Sequence, residues 1–195
     1  MKEFNCTCCG DCCSGLMDIK LNLYDLYKMA KELGFSSTEM LFTKGYVELV
    51  EGQNGLKLAT MKFKIKPVMF CPFLINDVDD NFKLRGFCSL HPYKKPLVCI
   101  LAPISREYDV DSKTSNYFTT HPTENCPGTY SKNDVELSTM LQPINNEIKY
   151  EEIYYDILDM ILPHNITDYF APLYHFNTSS TFPEIISSIY NYFTT

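Results

Sequence analysis

The chain has 195 residues, of which 45% are hydrophobic and 21% charged, and its formal net charge is −7. A chain of this length can bury a hydrophobic core without staples, and its acidic balance argues against nucleic acid as a partner, because phosphate contacts need clustered Lys and Arg. No apolar run approaches the roughly 18 residues of a membrane span, and the start lacks the apolar run of a signal peptide, so we expect a cytoplasmic protein with no direct membrane span.

The first third of the chain predicts a short strand, two helices and a hairpin. Residues 15–21 alternate weakly and predict the strand. The segment "NLYDLYKMAKELG" predicts a helix with Asn22 as its N-cap and Gly34 just beyond its end. A second, short helix with capping-box spacing at its start is expected to end near Gly45. Residues 46–66 alternate with period 2 on both sides of "GQNG", which predicts a β-hairpin.

The rest of the chain divides into a cysteine-bearing stretch and a cysteine-free one. Residues 67–103 are rich in proline, and we expect loops and short strands there. After Gly128 the pattern predicts one helix up to about Leu141 and another from about Asn145 to Leu162. A last helix is predicted in "TFPEIISSIYNYF", which opens with capping-box spacing.

These elements predict an α+β fold in two parts. Residues 1–130 are expected to form a small, irregular, cysteine-rich metal-binding domain with a short hairpin and helices. Residues 131–195 are expected to form a C-terminal helical extension packed on that domain. The sequence contains no internal repeat and no low-complexity linker.

The C-terminal extension is rich in Tyr and Phe. One interpretation is that these side chains complete the core against the cysteine domain. The other is that part of this surface docks on a protein partner, because Tyr and Phe are enriched at the centres of interfaces. The residues concerned are Tyr150, Tyr154, Tyr155, Tyr169, Phe170, Tyr174, Phe176, Phe182, Tyr190, Tyr192 and Phe193.

The segment "NCTCCGDCCSG" places five cysteines in eight consecutive positions. In a reducing cytosol nine cysteines, an odd number, are not expected to form disulfides. Two residues between successive thiolates let a tight turn aim their sulfurs at one ion or cluster, and Gly10 supplies the turn conformations that other residues resist. A metal offsets the cost of packing several thiolates together. The spacing therefore favours metal ligation over buried structural cysteines.

Four remote cysteines strengthen this interpretation. Each lies in loop-like sequence with proline or glycine close by. They bring the candidate metal ligands to eight, enough for one four-thiolate site with spares or for two such sites. The eight candidate ligands are Cys6, Cys9, Cys12, Cys13, Cys71, Cys88, Cys99 and Cys126.

Zinc and iron–sulfur chemistry make different demands on spacing. Zinc favours closed four-ligand sites, often with paired CxxC hooks. Three close cysteines and a remote Cys-Pro position are typical of iron–sulfur proteins, and this chain has one CxxCxxC run with Cys-Pro at Cys71 and Cys126. The pattern favours one or two iron–sulfur clusters of the 4Fe-4S type, with zinc as the alternative.

The order of these motifs resembles the CxxCxxCC cysteine-cluster family, described as a zinc- or iron-chelating domain. After the N-terminal run come "CPFL" at 71–74, "CSLHPYKKPLVC" at 88–99 and "CPG" at 126–128. The likeness covers roughly residues 4–130 and implies metal binding through the eight cysteines, with Cys8 additional to the pattern. Lys95-Pro96 stands where the family usually has Arg-Pro. A flagellin lysine methylase carries a similar motif set.

Three functions are compatible with this sequence. The first is an iron–sulfur protein that acts as a redox-responsive binding or regulatory module on a protein partner. The second is a cluster-dependent group-transfer enzyme, such as a protein methylase. The sequence has no glycine-rich nucleotide loop, however, and no catalytic residue can be identified from it. The third is a structural zinc protein without a redox role.

Overall fold

The computed structural model describes residues 1–14, 17–52, 55–66, 69–78, 80–82, 84–120, 123–162 and 168–194. Helices and small antiparallel sheets alternate along it, which confirms the α+β class. The helices are α1 (Leu23–Glu32), α2 (Glu39–Thr43), α3 (Leu97–Leu101), α4 (Leu137–Leu141), α5 (Asn145–Ile161), α6 (Phe170–Tyr174) and α7 (Phe182–Thr194), with 3-10 turns at Asp11–Cys13 and Gln142–Ile144.

The strands pair as antiparallel two-stranded ribbons rather than as one larger sheet. Because β1 pairs with β8, the ribbon they form joins the N-terminus to a segment almost 130 residues later. The strands are β1 (Lys2–Asn5), β2 (Val47–Glu51), β3 (Lys57–Met61), β4 (Leu74–Val78), β5 (Leu84–Cys88), β6 (Ile104–Asp109), β7 (Thr114–Thr119) and β8 (Thr129–Asp134), paired β1–β8, β2–β3, β4–β5 and β6–β7.

Helix α1 begins and ends where its sequence predicts. The Asn22 side chain accepts a hydrogen bond from the Asp25 amide, and the Asp25 carboxylate accepts one from the Asn22 amide, so the two form a capping box. Gly34 follows the helix with a φ of +70°, a left-handed conformation that glycine adopts without strain. The helix buries Leu23, Leu26 and its neighbours against α5 and α7.

The main core joins these helices to the β2–β3 hairpin. Val47, Ala59 and Met61 of the hairpin are buried in the same cluster as Leu173 and Ile186 from the C-terminal helices. Most aromatic residues of the C-terminal region also belong to this core: Tyr150, Tyr154, Tyr169, Phe170, Tyr174, Phe176, Phe182 and Phe193. Core formation therefore accounts for most of that aromatic content. Whether residue 130 is a domain boundary stays a prediction.

Ion pairs attach the β6–β7 ribbon to helix α5. Arg106 of β6 is 3% exposed and donates hydrogen bonds at 2.5 Å to Glu151 and at 2.5 Å to Glu152. A buried guanidinium needs such partners, because an unpaired charge away from water is costly. This contact holds the β6–β7 ribbon, which the sequence analysis did not predict, against the helical core.

Most other sequence-predicted elements are present, with some differences. The hairpin forms with Val47 opposite Met61, while turn residues 53 and 54 lie outside the described residues. The strand expected at 15–21 is wrong for residues 17–21, where only an isolated bridge joins Lys20 to Thr60; residues 15 and 16 lie outside the described part. In the described part of the chain, no helix is long and apolar enough to cross a lipid bilayer.

Candidate metal centre: a cysteine-lined cavity

The N-terminal cysteine run folds as a 3-10 turn that places Cys12 and Cys13 side by side. Gly10 precedes the turn with a φ of +77°, and the Cys13 amide donates to the Gly10 carbonyl at 2.9 Å. The two thiol sulfurs are 3.9 Å apart. Thiolates on one tetrahedral ion lie roughly 3.8 Å apart, given a metal–sulfur bond of about 2.3 Å. This pair therefore has the spacing of two sulfur ligands.

A contact between two glycines brings the β4–β5 hairpin to this turn. A methyl group at Gly86 would lie 2.4 Å from the Gly10 Cα atom, so only glycine permits the approach. The Gly86 amide donates to the Cys8 carbonyl at 2.7 Å. Cys88 lies at the end of the same strand, opposite Leu74. The hairpin thereby carries Cys88 to the N-terminal cysteines.

Cys71 reaches the same place through the backbone. It is 9% exposed, and its amide donates to the Cys13 carbonyl at 2.7 Å. The Cys71 carbonyl in turn accepts from the Leu74 amide at 3.1 Å, which starts the hairpin. The "CPFL" motif therefore joins the cysteine turn directly to β4.

Helix α1 positions Cys99 from the opposite side. The Asp25 carboxylate accepts a hydrogen bond at 2.8 Å from the amide of Leu97, the first residue of α3. The Lys28 ammonium donates to the Lys95 carbonyl at 2.6 Å and to Glu147 at 2.5 Å. Burial raises the pKa of the Asp25 carboxyl to about 7, although Lys28 and the Leu97 amide favour its charged form.

These four segments line one cavity of about 200 Å³, at which Cys71 is buried and Cys12 is exposed. Five cysteines line it: Cys12, Cys13, Cys71, Cys88 and Cys99. The rest of the lining is mostly Met, Phe, Leu, Ile, Val, Ala and Pro, with Lys95, Ser105 and Thr120 as polar exceptions. We call this site the five-thiol cavity.

Burial holds most of these thiols in the protonated form. It raises the pKa of Cys71 to about 11 and that of Cys99 to about 12, and it raises the pKa of Cys88. Cys12 differs, because a hydrogen bond with Cys13 lowers its pKa to about 6 and raises the pKa of Cys13. Most of the thiols would therefore release protons on binding a metal.

The three remaining candidate ligands gather at a second place. The β1–β8 ribbon pairs Asn5 with Thr129, which brings Cys126 to the N-terminal loop. Burial raises the pKa of the Cys126 thiol, and a hydrogen bond with Cys9 and the charge of Cys6 add to this rise. Cys6 is exposed. We call Cys6, Cys9 and Cys126 the surface thiol group.

The eight sequence-predicted ligands thus fall into five around the cavity and three at the surface. Within the residues that the structure describes, no group of three or more His, Cys, Asp or Glu side chains is arranged so that it could hold a metal ion. The five thiols fit a metal centre in the chemistry of their donor atoms, and Cys12 and Cys13 also fit in spacing. The fold and the site together define an α+β protein with a mostly apolar cavity lined by five thiols.

No protein-family model, curated protein or solved structure shows significant similarity to this chain. The resemblance to the cysteine-cluster family therefore stays a prediction from the motifs.

The buried charges that support the cavity are not apparent in the sequence. Lys28 is 4% exposed in its side chain, yet in the sequence it falls among the polar positions of α1. Its partners Lys95 and Glu147 lie 67 and 119 residues away. The only local signal was Asp25 at the capping-box position, which indicates a cap but not burial.

Proposed function

We propose that the five-thiol cavity holds an iron–sulfur centre and that the protein is a cytoplasmic, redox-responsive binding or regulatory module for a protein partner. One observation carries the proposal: five cysteines from four separate chain segments line one largely apolar cavity. Thiols are weakly polar, so nothing in general packing physics requires five of them to share a cavity. A common thiophilic ligand explains their convergence.

The size of the cavity favours a cluster over a single ion. A structural zinc site is closed, with four ligands about 2.0–2.3 Å from the ion and little space around it. The cavity of about 200 Å³ is far larger than the roughly 10–15 Å³ that one water needs by the same measure. An iron–sulfur cluster brings iron and sulfide atoms of its own, so it requires such a volume between its cysteines.

The chain's own residues would hold the centre in a defined way. Each cysteine of a 4Fe-4S cluster binds a different iron, whereas Cys12 and Cys13 are close enough to share one ion. One of these two, together with Cys71, Cys88 and Cys99, would therefore fill the four positions of such a cluster. Such a cluster supplies one-electron redox chemistry when bound. The mostly apolar walls surround the buried thiol of Cys71, and the buried contacts of Asp25 and Lys28 fix the segment that carries Cys99.

The surface thiol group supports the proposal that the protein responds to redox conditions. Cys6 is exposed and Cys9 and Cys126 are half-buried, whereas the cavity group includes the buried Cys71 beside the exposed Cys12. Three thiols offer ligands for a second, more exposed centre, and exposed clusters are the more sensitive to oxidants. A signal received there could reach the cavity through the contact between Gly10 and Gly86.

The proposed partner surface is smaller than the sequence suggests. Only Tyr155, Tyr190 and Tyr192 of the C-terminal aromatic residues named above are substantially exposed. Deleting 180–195 would remove buried core residues such as Ile185 and Ile189, so it cannot test docking. The double substitution Tyr190→Ser and Tyr192→Ser leaves the core intact, and its effect on partner capture tests this surface.

The metal content of protein purified without oxygen tests the proposal. Iron, zinc and acid-labile sulfide are measured per chain together with the visible spectrum. We expect iron and sulfide in comparable amounts and a brown absorbance that dithionite bleaches. A colourless protein with zinc alone would instead establish a structural zinc site, and a protein with neither metal would refute both.

A further inference from the structure

One charged side chain lines the five-thiol cavity. Among the described residues that line it, Lys95 is the only one with a formal charge, whereas the adjacent Lys94 is exposed and does not line it. The cavity therefore combines five potential anions with a single cation, while the rest of its lining is mostly apolar.

The backbone of Lys95 is fixed by buried charges of the helical core. Its carbonyl accepts a hydrogen bond at 2.6 Å from the Lys28 ammonium, which is 4% exposed and also pairs with Asp25 and Glu147. Two residues later the Leu97 amide donates to Asp25. These contacts define where the Lys95 side chain starts, at the entrance to α3 and next to the cavity.

The charge of Lys95 acts on thiols from three different elements. Burial raises the pKa of Cys88 in β5 and of Cys99 in α3, and the charge of Lys95 opposes this rise. At Cys12 in the 3-10 turn the hydrogen bond with Cys13 is the main cause of the lowered pKa, and Lys95 acts in the same direction. Lys95 lines the cavity, and its charge reaches three of the five cavity thiols and also Cys8 outside the cavity. General electrostatics then predicts a stronger effect on a centre that several thiolates hold at once.

We propose that Lys95 is the charge-compensating residue of the five-thiol cavity, whose ammonium stabilises the negatively charged centre and raises its reduction potential. This inference rests on the proposed iron–sulfur function. A cluster with four thiolate ligands carries net negative charge, and reduction adds one electron from an external donor without breaking a bond. A cation at the lining of a mainly apolar cavity stabilises the reduced form more than the oxidised form.

The test compares three variants with the full-length wild-type protein, all purified without oxygen. Lys95→Met removes the charge and keeps the length of the side chain, Lys95→Arg keeps the charge, and Lys94→Met removes the neighbouring charge outside the cavity. Reduction potentials are measured by a dithionite titration followed in the visible spectrum. We expect a more negative potential in Lys95→Met, and values close to wild type in Lys95→Arg and Lys94→Met.

The outcomes separate this inference from the function on which it rests. A wild-type protein without iron and sulfide overturns both. A loaded wild type with equal potentials in Lys95→Met and Lys94→Met overturns the role of Lys95 alone. If Lys95→Met fails to retain iron, Lys95→Gln replaces it. Iron in Lys95→Arg but in neither neutral variant supports the charge requirement, whereas loss of iron in all three Lys95 variants overturns it in favour of a packing role.

Discussion

The five-thiol cavity and the surface thiol group differ in how the fold holds them. The cavity thiols come from a turn, a loop, a strand and a helix that are tied to the main core, and Cys71 is almost fully buried. The surface group depends on the two-stranded β1–β8 ribbon, and Cys6 is exposed. One N-terminal cysteine run therefore contributes to two sites, one that reaches the buried Cys71 and one that the ribbon alone holds together. If both groups hold metal as proposed, the cavity group should retain it more firmly than the surface group.

The largest expected difference between the two groups is in iron content. Replacing Cys99 by Ser removes a cavity ligand, and we expect iron and sulfide to fall by at least about tenfold, since even outer-shell changes cost about 10–100-fold in metal affinity. Cys126→Ser is the matched change in the surface group and should leave the cavity iron in place. Metal analysis of both variants, with circular dichroism as a check of folding, shows which of the two groups holds the iron. Equal losses would contradict the division into two groups.

Alkylation rates of the metal-free protein should also separate the groups. A thiol with a pKa of about 12, as at Cys99, is a thiolate only about one ten-thousandth of the time at pH 8. We therefore expect iodoacetamide to modify exposed Cys6 more than about ten times faster than Cys99. Peptide mapping by mass spectrometry measures both rates in one sample. Similar rates would show that the cavity thiols are open to solvent in the metal-free protein.

The contact between Gly10 and Gly86 should matter to both groups. A methyl group at residue 86 would clash with the Gly10 backbone, so Gly86→Ala is expected to lower the free energy of unfolding by about 1–3 kcal/mol and to reduce iron content. Ile75→Ala lies on the same hairpin, 53% exposed, and serves as the control with an effect within about 0.5 kcal/mol. Urea unfolding measures the free energy of unfolding of both variants. A Gly86→Ala protein as stable as wild type would show that this contact does not contribute to stability.

A smaller effect is expected in the pH dependence of stability. It arises from Asp25, which supports the five-thiol cavity but not the surface thiol group. Because burial raises the pKa of Asp25 from 3.8 to about 7, the folded protein holds a proton that the unfolded chain releases. The free energy of unfolding should therefore fall as pH rises from 3.8 to about 7, by a few kcal/mol at most in order of magnitude. Asp25→Asn should flatten this dependence in urea unfolding of the metal-free protein.

The exposed Asp18 provides the control for this prediction. Its side chain is 64% exposed, so Asp18→Asn should keep the wild-type dependence on pH. If Asp25→Asn and Asp18→Asn give the same slope, the titration of Asp25 does not contribute to stability.

Local signals predicted much of the fold. The capping box of Asn22 and Asp25 and the left-handed Gly34 set the limits of α1, and the carboxylate of Glu184 caps α7 at Thr181 as its spacing predicts. These features depend on residues three or four positions apart, which a sequence displays directly.

The division of the cysteines could not be predicted in the same way. It depends on the pairing of β1 with β8 and on a close approach of two glycines 76 positions apart in the chain, Gly10 and Gly86. The burial of Lys28 likewise depends on Glu147 in α5, a distant segment. Spacing identified the eight candidate ligands, but only tertiary contacts decide which of them share a site.

The position of iron in the protein tests the central claim most directly. A crystal grown without oxygen would be measured on both sides of the iron absorption edge, so that anomalous differences locate each iron atom. We expect iron in the five-thiol cavity, between Cys12, Cys13, Cys71, Cys88 and Cys99. Iron at the surface thiol group alone, or a zinc signal in the cavity instead, would contradict it.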